Sequence, residues 1–255
     1  ASQTVCVNTA ITSVTYTYGG GATSAQVAGQ TMVVDGLPTG VTVSPTATTI
    51  TLKGTPTATT TYTTTYNYIV SSVGSSGCPE IVMYGSITVE PEELIELVSA
   101  GSSTNQTNIC PGDTIIDIIY DIKGSALSIS PALPLTLPQG ITAVESKTQQ
   151  SNRVNITGAV TGTYILGVNG SVVSYTYVTG NTTQTIRDAL RAAINTDSLI
   201  SNVVTATDIG TDALSLTAKV SGTPFSVQIG GTAGAGNMSN AITVANKNQI
   251  TIGGT

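Results

Sequence analysis

Histidine and tryptophan are absent from this sequence of 255 residues, phenylalanine occurs once, and only 9% of the residues are charged. Without histidine the chain lacks the usual general base and the commonest metal ligand, so Ser-His-Asp and Cys-His catalytic arrangements cannot form. A Cys-x-x-Cys pair is also missing, which argues against a structural zinc site. We therefore predict a protein that is not an enzyme, with no catalytic residue, no bound metal and no cofactor.

Scarce charge and short apolar runs exclude further classes. Ordinary globular proteins carry about 25% charged residues, so a fraction of 9% is unlike a cytosolic enzyme. The net charge of -6 disfavours nucleic acid as a partner, because phosphates require a basic surface. No apolar run approaches the roughly 18 residues that a membrane-spanning helix needs, and we predict no membrane span.

What the sequence does contain is typical of β-sandwiches. Threonine, serine, glycine, valine and isoleucine dominate, and short runs rich in β-formers alternate with glycine and proline. Such runs at spacings of about 8–12 residues are the pattern of a sandwich built from short strands. The predicted fold class is mainly β, with tandem Ig-like or PKD-like sandwiches and a small α+β module in the C-terminal half.

Two parts of the sequence repeat each other. Cys6 and Cys110 stand about 104 positions apart, and the residues that follow each of them agree in character and order. The matched pairs of segments are residues 3–11 with 105–115, residues 37–41 with 137–141, and residues 51–55 with 155–159. Repeats of this kind indicate a tandem array of one structural unit.

These signals predict three domains. They are a first Ig-like repeat over residues 1–93, a divergent second repeat over 94–162, and an α+β module over 163–255. The module has an Asn-Gly turn at 169–170 and one helix near 183–195, capped by Asn181 or Thr182. The helix carries an apolar stripe of Ile186, Leu190 and Ile194. Because residues 250–255 resemble residues 50–55, we expect an internal piece of a longer chain.

Three cysteines allow one disulfide within the first repeat. Cys6 opens that repeat and Cys78 lies near its end. A bridge between them would close a loop of about 72 residues, worth roughly 4 kcal/mol, and would imply an oxidising compartment. The alternative is three unpaired buried thiols. No partner for Cys110 is evident.

Carboxylates cluster in two places. Glu90, Glu92, Glu93 and Glu96 mark the seam between the repeats, and we interpret them as a solvated linker, the alternative being a calcium site. Asp113, Asp117 and Asp121 lie on a predicted strand, where their charges would protect a sheet edge from aggregation. A paired-carboxylate glycosidase is the alternative, but the aromatic sugar platforms it would need are missing.

The repeated motifs resemble those of a known family. Cys6-Val7-Asn8-Thr9-Ala10-Ile11, Gly36-Leu37-Pro38-Thr39-Gly40-Val41 and the run from Ile50 to Pro56 are similar to PKD-like, Ig-like repeats of giant Bacteroidetes surface adhesins, of which the SprB type of gliding motility is best known. The first repeat matches along its length and the second through its first half. The 163–229 region separately resembles small α+β units of phage tail proteins and secreted adhesins.

The resemblance implies a location and a set of partners. It implies export by type 9 secretion to the cell surface, within a filament whose partners are neighbouring repeats, the gliding machinery, and surface polysaccharide or substratum. It also implies O-glycosylation at Asp-Ser/Thr-apolar sites, and Thr114 and Ser198 fit that pattern. The predicted function is a structural and adhesive segment of such a filament. The alternatives are a phage tail or fibre protein and a carbohydrate-binding surface module.

Overall fold

The computed structural model describes residues 1–29, 36–57, 62–74, 80–124 and 137–255. We divide it into three parts by the pairing of its strands. The first Ig-like unit comprises residues 1–90, the second Ig-like unit residues 94–148 and 247–255, and the inserted module residues 149–246. None of the helices in the described ranges is long and apolar enough to cross a membrane.

The first Ig-like unit is a two-sheet sandwich. Its strands are β1 (Ser2–Cys6), β2 (Val14–Thr17), β3 (Ala22–Gly29), β4 (Val41–Pro45), β5 (Thr49–Gly54), β6 (Thr64–Gly74) and β7 (Val82–Glu90). One sheet has the order β1-β7-β6-β3 and the other β2-β5-β4, and β1 runs parallel to β7. Alternate side chains such as Leu52, Tyr68 and Ile87, all 0% exposed, meet between the sheets. The predicted Ig-like sandwich is confirmed.

The remaining elements follow in chain order. They are β8 (Leu94–Leu97), a 3-10 turn (Gly101–Thr104), β9 (Ile118–Lys123), β10 (Ile141–Thr148), β11 (Ser151–Ile156), β12 (Thr163–Val168), β13 (Ser171–Thr176), α1 (Thr183–Thr196), a second 3-10 turn (Ile200–Asn202), β14 (Val204–Ile209), β15 (Ala213–Ala218), β16 (Val227–Gly230), α2 (Gly234–Asn237), β17 (Met238–Val244) and β18 (Lys247–Gly254).

The second Ig-like unit repeats the β2-β5-β4 sheet of the first with the same register. Its sheet has the order β10-β18-β9-β8, so that β18 lies between β9 and β10 as β5 lies between β2 and β4. The equivalent cross-strand pairs are Val14↔Leu52 and Ile118↔Ile252, Tyr16↔Ile50 and Tyr120↔Ile250, and Val41↔Gly54 and Ile141↔Gly254. The resemblance between residues 250–255 and 50–55 therefore reflects an equivalent position in the fold.

Glycines at the end of this strand pair are equivalent as well. Gly40 and Gly140 have φ of 91° and 90°, and Gly54 and Gly254 have φ of 132° and 136°, a region that strongly favours glycine. A Cβ on Gly54 would lie 2.2 Å from the carbonyl oxygen of Gly40, and one on Gly254 would lie 2.1 Å from that of Gly140. The close approach of the two backbones explains why glycine recurs at both of these positions in the two units.

A glutamine clamp supports the same equivalence. The side-chain amide of Gln3 donates to the carbonyl of Thr12 (3.0 Å) and accepts from its N–H (2.9 Å). Gln106 makes the same two bonds with Ile116, at 2.8 and 2.7 Å. A turn beside each clamp closes with Thr9 N–H donating to Cys6 O and Asp113 N–H donating to Cys110 O. Both units therefore begin with the same glutamine clamp and the same turn closed by a backbone hydrogen bond.

The proposed match of residues 51–55 with 155–159 is wrong. β11, which contains Ile156, pairs with β15 and β17, and none of these strands belongs to the second Ig-like unit. The pairing accordingly groups residues 149–162 with the inserted module, and residues 247–255 with the second unit, which differs from the expected division at residue 162. The second repeat is interrupted in the hairpin that corresponds to β4–β5.

The inserted module is the α+β part of the chain. Two sheets, β14-β15-β11-β17 and β13-β12-β16, share a core with α1. The helix was expected near 183–195, with Ile186, Leu190 and Ile194 facing inward, and all three are 0% exposed. Its N-terminus is held by a capping box between Thr182 and Thr185, so Thr182 is the cap.

Candidate functional site: the junction of the three parts

A cavity of about 550 Å³ lies where the three parts meet. Val7 of the first Ig-like unit, Pro91 of the linker, Asp121 of β9 and Pro224 of the inserted module contribute to its wall. The cavity forms because β7 and β8 are separated by only three residues, which holds the two Ig-like units close together. Its volume is in the range of small-molecule sites.

Two of the charged groups around this cavity, Asp121 and Lys123, have partners. Asp121 Oδ1 accepts a hydrogen bond from Gln249 Nε2 at 2.6 Å. Lys123 forms an ion pair with Glu96, and this hydrogen bond raises the pKa of the lysine. Because both groups are largely exposed, the pair adds little to stability. The wall also contains Asn246, whose side-chain oxygen is buried without a hydrogen-bond partner among the described residues, and the exposed side chains of Glu92 and Lys247.

The acidic seam does not form a metal site in this structure. Across the described ranges, no three Asp, Glu, Cys or His side chains come together as ligands for a metal ion. Glu92 and Glu93 are exposed in the connection between β7 and β8, and Pro91 between Glu90 and Glu92 is buried. The geometry agrees with the interpretation of the seam as a solvated linker.

The three aspartates are not arranged as the edge strand we expected. Asp121 lies on β9, which is an inner strand hydrogen-bonded to β18 on one side and β8 on the other. Asp113 caps its own turn, with Oδ2 accepting from Cys110 N–H at 2.9 Å. Asp117 lies over the backbone of Gly253, whose missing Cβ leaves room for the carboxylate. Each carboxylate has a separate local role, and the edge interpretation of β9 is wrong.

The predicted disulfide falls partly outside the described residues. Cys6 ends β1 opposite Glu90 and is exposed. Cys78 lies in residues 75–79, which the structure does not describe, so the Cys6–Cys78 bridge stays a prediction. Cys110 is also exposed with a free thiol. The alternative of buried thiols is wrong for Cys6 and Cys110.

The two candidate glycosylation residues are accessible but belong to different parts. Thr114 is exposed beside the turn of the second Ig-like unit. Ser198 is exposed in a turn after α1, where Asp197 Oδ1 accepts from the N–H groups of Leu199 (3.0 Å) and Ile200 (2.9 Å). Their modification remains a prediction, and the structure does not bring them together.

Aromatic side chains do not form a sugar-binding platform. All ten tyrosines and Phe225 lie in the described ranges, and only Tyr84 has more than about a third of its surface exposed. Tyr68 and Tyr164 are 0% exposed. The hydroxyl groups of Tyr16 and Tyr68 lie 3.2 Å apart in the sandwich core. Tyr68 belongs to the core of the first unit, and Tyr16 and Tyr66 pack against that core.

A contact that the sequence did not predict joins the inserted module to the first Ig-like unit. The Asn169-Gly170 turn of the β12–β13 hairpin lies against β6, where the Thr65 N–H donates to the Asn169 carbonyl at 3.0 Å. Asn67 Nδ2 donates to the Gly170 carbonyl at 3.4 Å. A Cβ on Gly170 would lie 2.1 Å from the Thr65 oxygen. The Asn-Gly pair predicts the turn, but only the fold shows what the turn contacts.

The densest group of charges lies inside the module and is structural. Arg187, only 5% exposed on α1, donates to Asp188 Oδ1 (2.6 Å) and to the Gly210 carbonyl and lies 3.4 Å from Asp208. Arg191 also pairs with Asp208. The network fixes the helix to the β14–β15 turn and leaves no charged group free for chemistry.

Comparison with known proteins identifies no family for this chain. No protein-family model and no curated protein matches the chain. Among solved structures, a chicken TCR is similar at 10% identity, covering 97% of each chain with a TM-score of 0.27. A tandem pair of titin Ig domains is similar at 9% identity, covering 94% of this chain and 89% of that one, with a TM-score of 0.25. The Ig-like assignment rests on the strand order described above.

Proposed function

We propose that the chain is a non-enzymatic, structural and adhesive segment of a long, repetitive cell-surface filament protein, of the kind used in gliding motility or surface attachment. The observation that carries the proposal is the repetition of one Ig-like frame in two consecutive units with the same strand register. Arrays of such units act as spacers, because each unit contacts mainly its neighbours along the chain.

The short linker favours an array in which neighbouring units have little freedom to move relative to each other. Only residues 91–93 separate β7 from β8, and Pro91 in that linker is buried. The first unit is tied further by the contact between Thr65 and the Asn169-Gly170 turn. A segment that resists bending at its seams suits a filament that holds a binding surface away from the cell.

The inserted module is the adhesive part of the proposal. It replaces the short β4–β5 turn of the first unit with a folded module of its own core, displayed from one hairpin of the array. Functional variety in Ig-like folds is usually carried by loops on a constant frame. We assign the frame to spacing and the module to contact with a substratum or surface polymer.

The carbohydrate-binding alternative is weaker. Stacking of sugars requires exposed aromatic side chains, and Tyr84 is the single well-exposed one. Phage tail proteins also use sandwiches with α+β modules, and the cellular location of the protein separates the two possibilities. The proposed location is extracellular, at the cell surface, with export by the type 9 system and glycans on Thr114 and Ser198.

Antibody labelling of intact source cells tests the proposal. An antibody raised against the inserted module should label unbroken cells, and external protease should remove the label while a cytoplasmic marker stays intact. Cells that lack the segment should attach less well to glass, while cells with a point change on the exposed surface of β10 serve as a control. Label that appears only after lysis, or only in phage particles, would contradict the proposal.

Chemical analysis of native material gives a second test. Non-reducing peptide mapping should find a peptide pair linked through Cys6 and Cys78, as expected of an exported protein. Mass above that of the polypeptide should map to peptides that contain Thr114 or Ser198. Free thiols together with an unmodified mass would remove both signs of export.

A further inference from the structure

In the described residues of the second Ig-like unit, one sheet face has no opposing sheet of a sandwich. We call this the open face and define it by Tyr120, Ile141, Ile250 and Ile252. The register also places Ile95, Glu145 and the buried Ile122 on this side of the sheet, around those four residues. The cross-strand pairs Tyr120↔Ile250 and Ile118↔Ile252 place these side chains on one side of the sheet. Their equivalents Tyr16, Val41, Ile50 and Leu52 point into the core of the first unit.

The first unit shows what covers this face when the sandwich is complete. The β6–β7 hairpin contributes four apolar side chains, Tyr68, Val70, Ile87 and Val89, each between 0% and 5% exposed. Under this cover Ile50 and Leu52 are 1% and 0% exposed. The same hairpin also gives β1 its parallel partner, because β7 pairs with Ser2–Cys6.

Neither part of that cover is found among the described residues of the second unit. Ile122, at 4% exposure, is the one buried hydrophobic residue of the unit there, and no core cluster forms. Ile250 and Ile252 are only partly buried, and Ile95 is 54% exposed. Residues 106–110, equivalent to β1, form no strand, and Ile109 is 42% exposed. No strand in the described ranges pairs with residues 106–110, whereas their equivalent β1 pairs with β7.

We propose that the open face binds a β-hairpin built like β6–β7. The hairpin would belong to the same chain and lie C-terminal to β18, as β6–β7 lies C-terminal to β5. Its inward residues would be apolar and uncharged, matching Ile250, Ile252 and Tyr120. Its second strand would pair in parallel with residues 106–110, beside the Gln106 clamp that already fixes this segment as Gln3 fixes β1. The interface would continue the established packing of the first unit, position for position.

A second copy of the chain fits the open face less well. The β6–β7 hairpin of any copy is already buried in its own first unit, so donating it would dismantle that core. Two open faces packed directly on each other would bury Ile250 and Ile252 but would leave residues 106–110 without a strand partner. A hairpin of the same chain would cover the open face and also pair with residues 106–110. This inference does not depend on the proposed function.

A fusion experiment tests this inference. A copy of residues 56–90 is attached after Thr255 of the whole chain, and backbone amide exchange is followed by mass spectrometry. We expect exchange in residues 106–110 and 250–252 to slow by roughly 100-fold, as these segments enter a paired and covered sandwich. The control fusion carries Val70→Asp and Ile87→Asp in the appended copy only, and it should give no added protection.

The outcomes separate the possible occupants. Protection in the first fusion alone supports the hairpin in cis. Equal exchange in both fusions and in the parent chain overturns the proposal. The proposal is also overturned if light scattering shows that the parent chain is a dimer and if residues 250–252 are protected from exchange in the dimer but lose this protection on dilution. That result would identify a second copy as the occupant.

Discussion

Ile50 and Ile250 offer a matched pair for testing the packing described above. Both are isoleucines in the middle strand of their sheet, and each lies opposite a tyrosine, Tyr16 for Ile50 and Tyr120 for Ile250. They differ in what lies above them. Ile50 is 1% exposed beneath the β6–β7 hairpin, whereas Ile250 is partly exposed on the open face. Replacing each by alanine removes the same atoms from two different environments.

The expected costs differ by a factor of two or more. Truncation of a fully buried isoleucine costs about 2–5 kcal/mol, since the transfer free energy is lost and a cavity remains. For Ile50→Ala we expect the upper half of that range, because both sheets pack around the side chain. For Ile250→Ala we expect about 1 kcal/mol, because no opposing sheet encloses a cavity there.

Unfolding must be followed unit by unit, because a chain of several domains is not a two-state system. Amide exchange read by mass spectrometry separates the peptides of the two units. Calorimetry should show the transition of the first unit falling by about 10 °C or more in Ile50→Ala, at about 4–8 °C for each kcal/mol. Lys53→Ala, on the exposed face of β5, is the control and should change stability by less than about 0.5 kcal/mol.

Equal destabilisation by the two alanine variants would refute the reasoning, since it would show that Ile250 is as enclosed as Ile50. A larger effect of Ile250→Ala would refute it more strongly. Either result would mean that the second unit has a complete core, and the proposed hairpin would lose its binding face.

Three further predictions concern single groups. Gly170→Ala should release the module from the first unit and so make amide exchange at Thr65 faster. The control Gly180→Ala has a similar φ of 94° but nothing near its Cβ, and it should leave that exchange unchanged. Unchanged exchange at Thr65 in Gly170→Ala would contradict the contact. Gly85→Ala places a Cβ 2.3 Å from the Tyr68 ring and should destabilise the first unit by about 1–3 kcal/mol in denaturant titrations, a neutral result counting against this packing. Burial, and after it the hydrogen bond to Tyr16, raises the pKa of Tyr68 in the folded chain. Since this tyrosine then ionises at lower pH in the unfolded chain, the free energy of unfolding should fall as the pH rises above 10.0. A free energy of unfolding that stays constant above that pH would contradict this prediction.

Local signals in the sequence were sufficient for elements whose structure is decided locally. The apolar stripe of Ile186, Leu190 and Ile194 predicts the helix because its period is helical, and the cap is Thr182, one of the two candidates that the sequence offers. The Asn169-Gly170 pair predicts a tight hairpin turn, and both residues have positive φ, as such turns require. These predictions need no knowledge of distant parts of the chain.

The local sequence pattern does not predict which strands pair with each other. Residues 155–159 and residues 250–255 both resemble the end of β5, because alternating Ile and Thr before glycine suits many strands. Only hydrogen bonding to β9 and β10 decides between them, and that pairing joins Ile118 to a residue far along the chain, Ile252. The inner position of β9 was missed for the same reason, since it depends on β8 folding back along it.

The candidate site was predictable in its chemistry but not in its location. The lack of histidine argues against a catalytic centre, and at the junction Asp121 is hydrogen-bonded to Gln249 and Lys123 forms an ion pair with Glu96. The cavity itself depends on three parts of the chain meeting, which composition does not encode. The open face likewise becomes visible only when Ile250 and Ile252 are set beside Ile50 and Leu52 in the same frame.

Interstrand NOEs in solution test the central claim most directly, namely that a second Ig-like unit is interrupted by an inserted module. We expect backbone NOEs from Ile252 to Ile118 on one side and to Ala143 on the other, as Leu52 should show with Val14 and Val43. NOEs from Ile118 to Ile156, in place of Ile252, would contradict it. They would restore residues 151–159 to the second repeat and remove both the insertion and the open face.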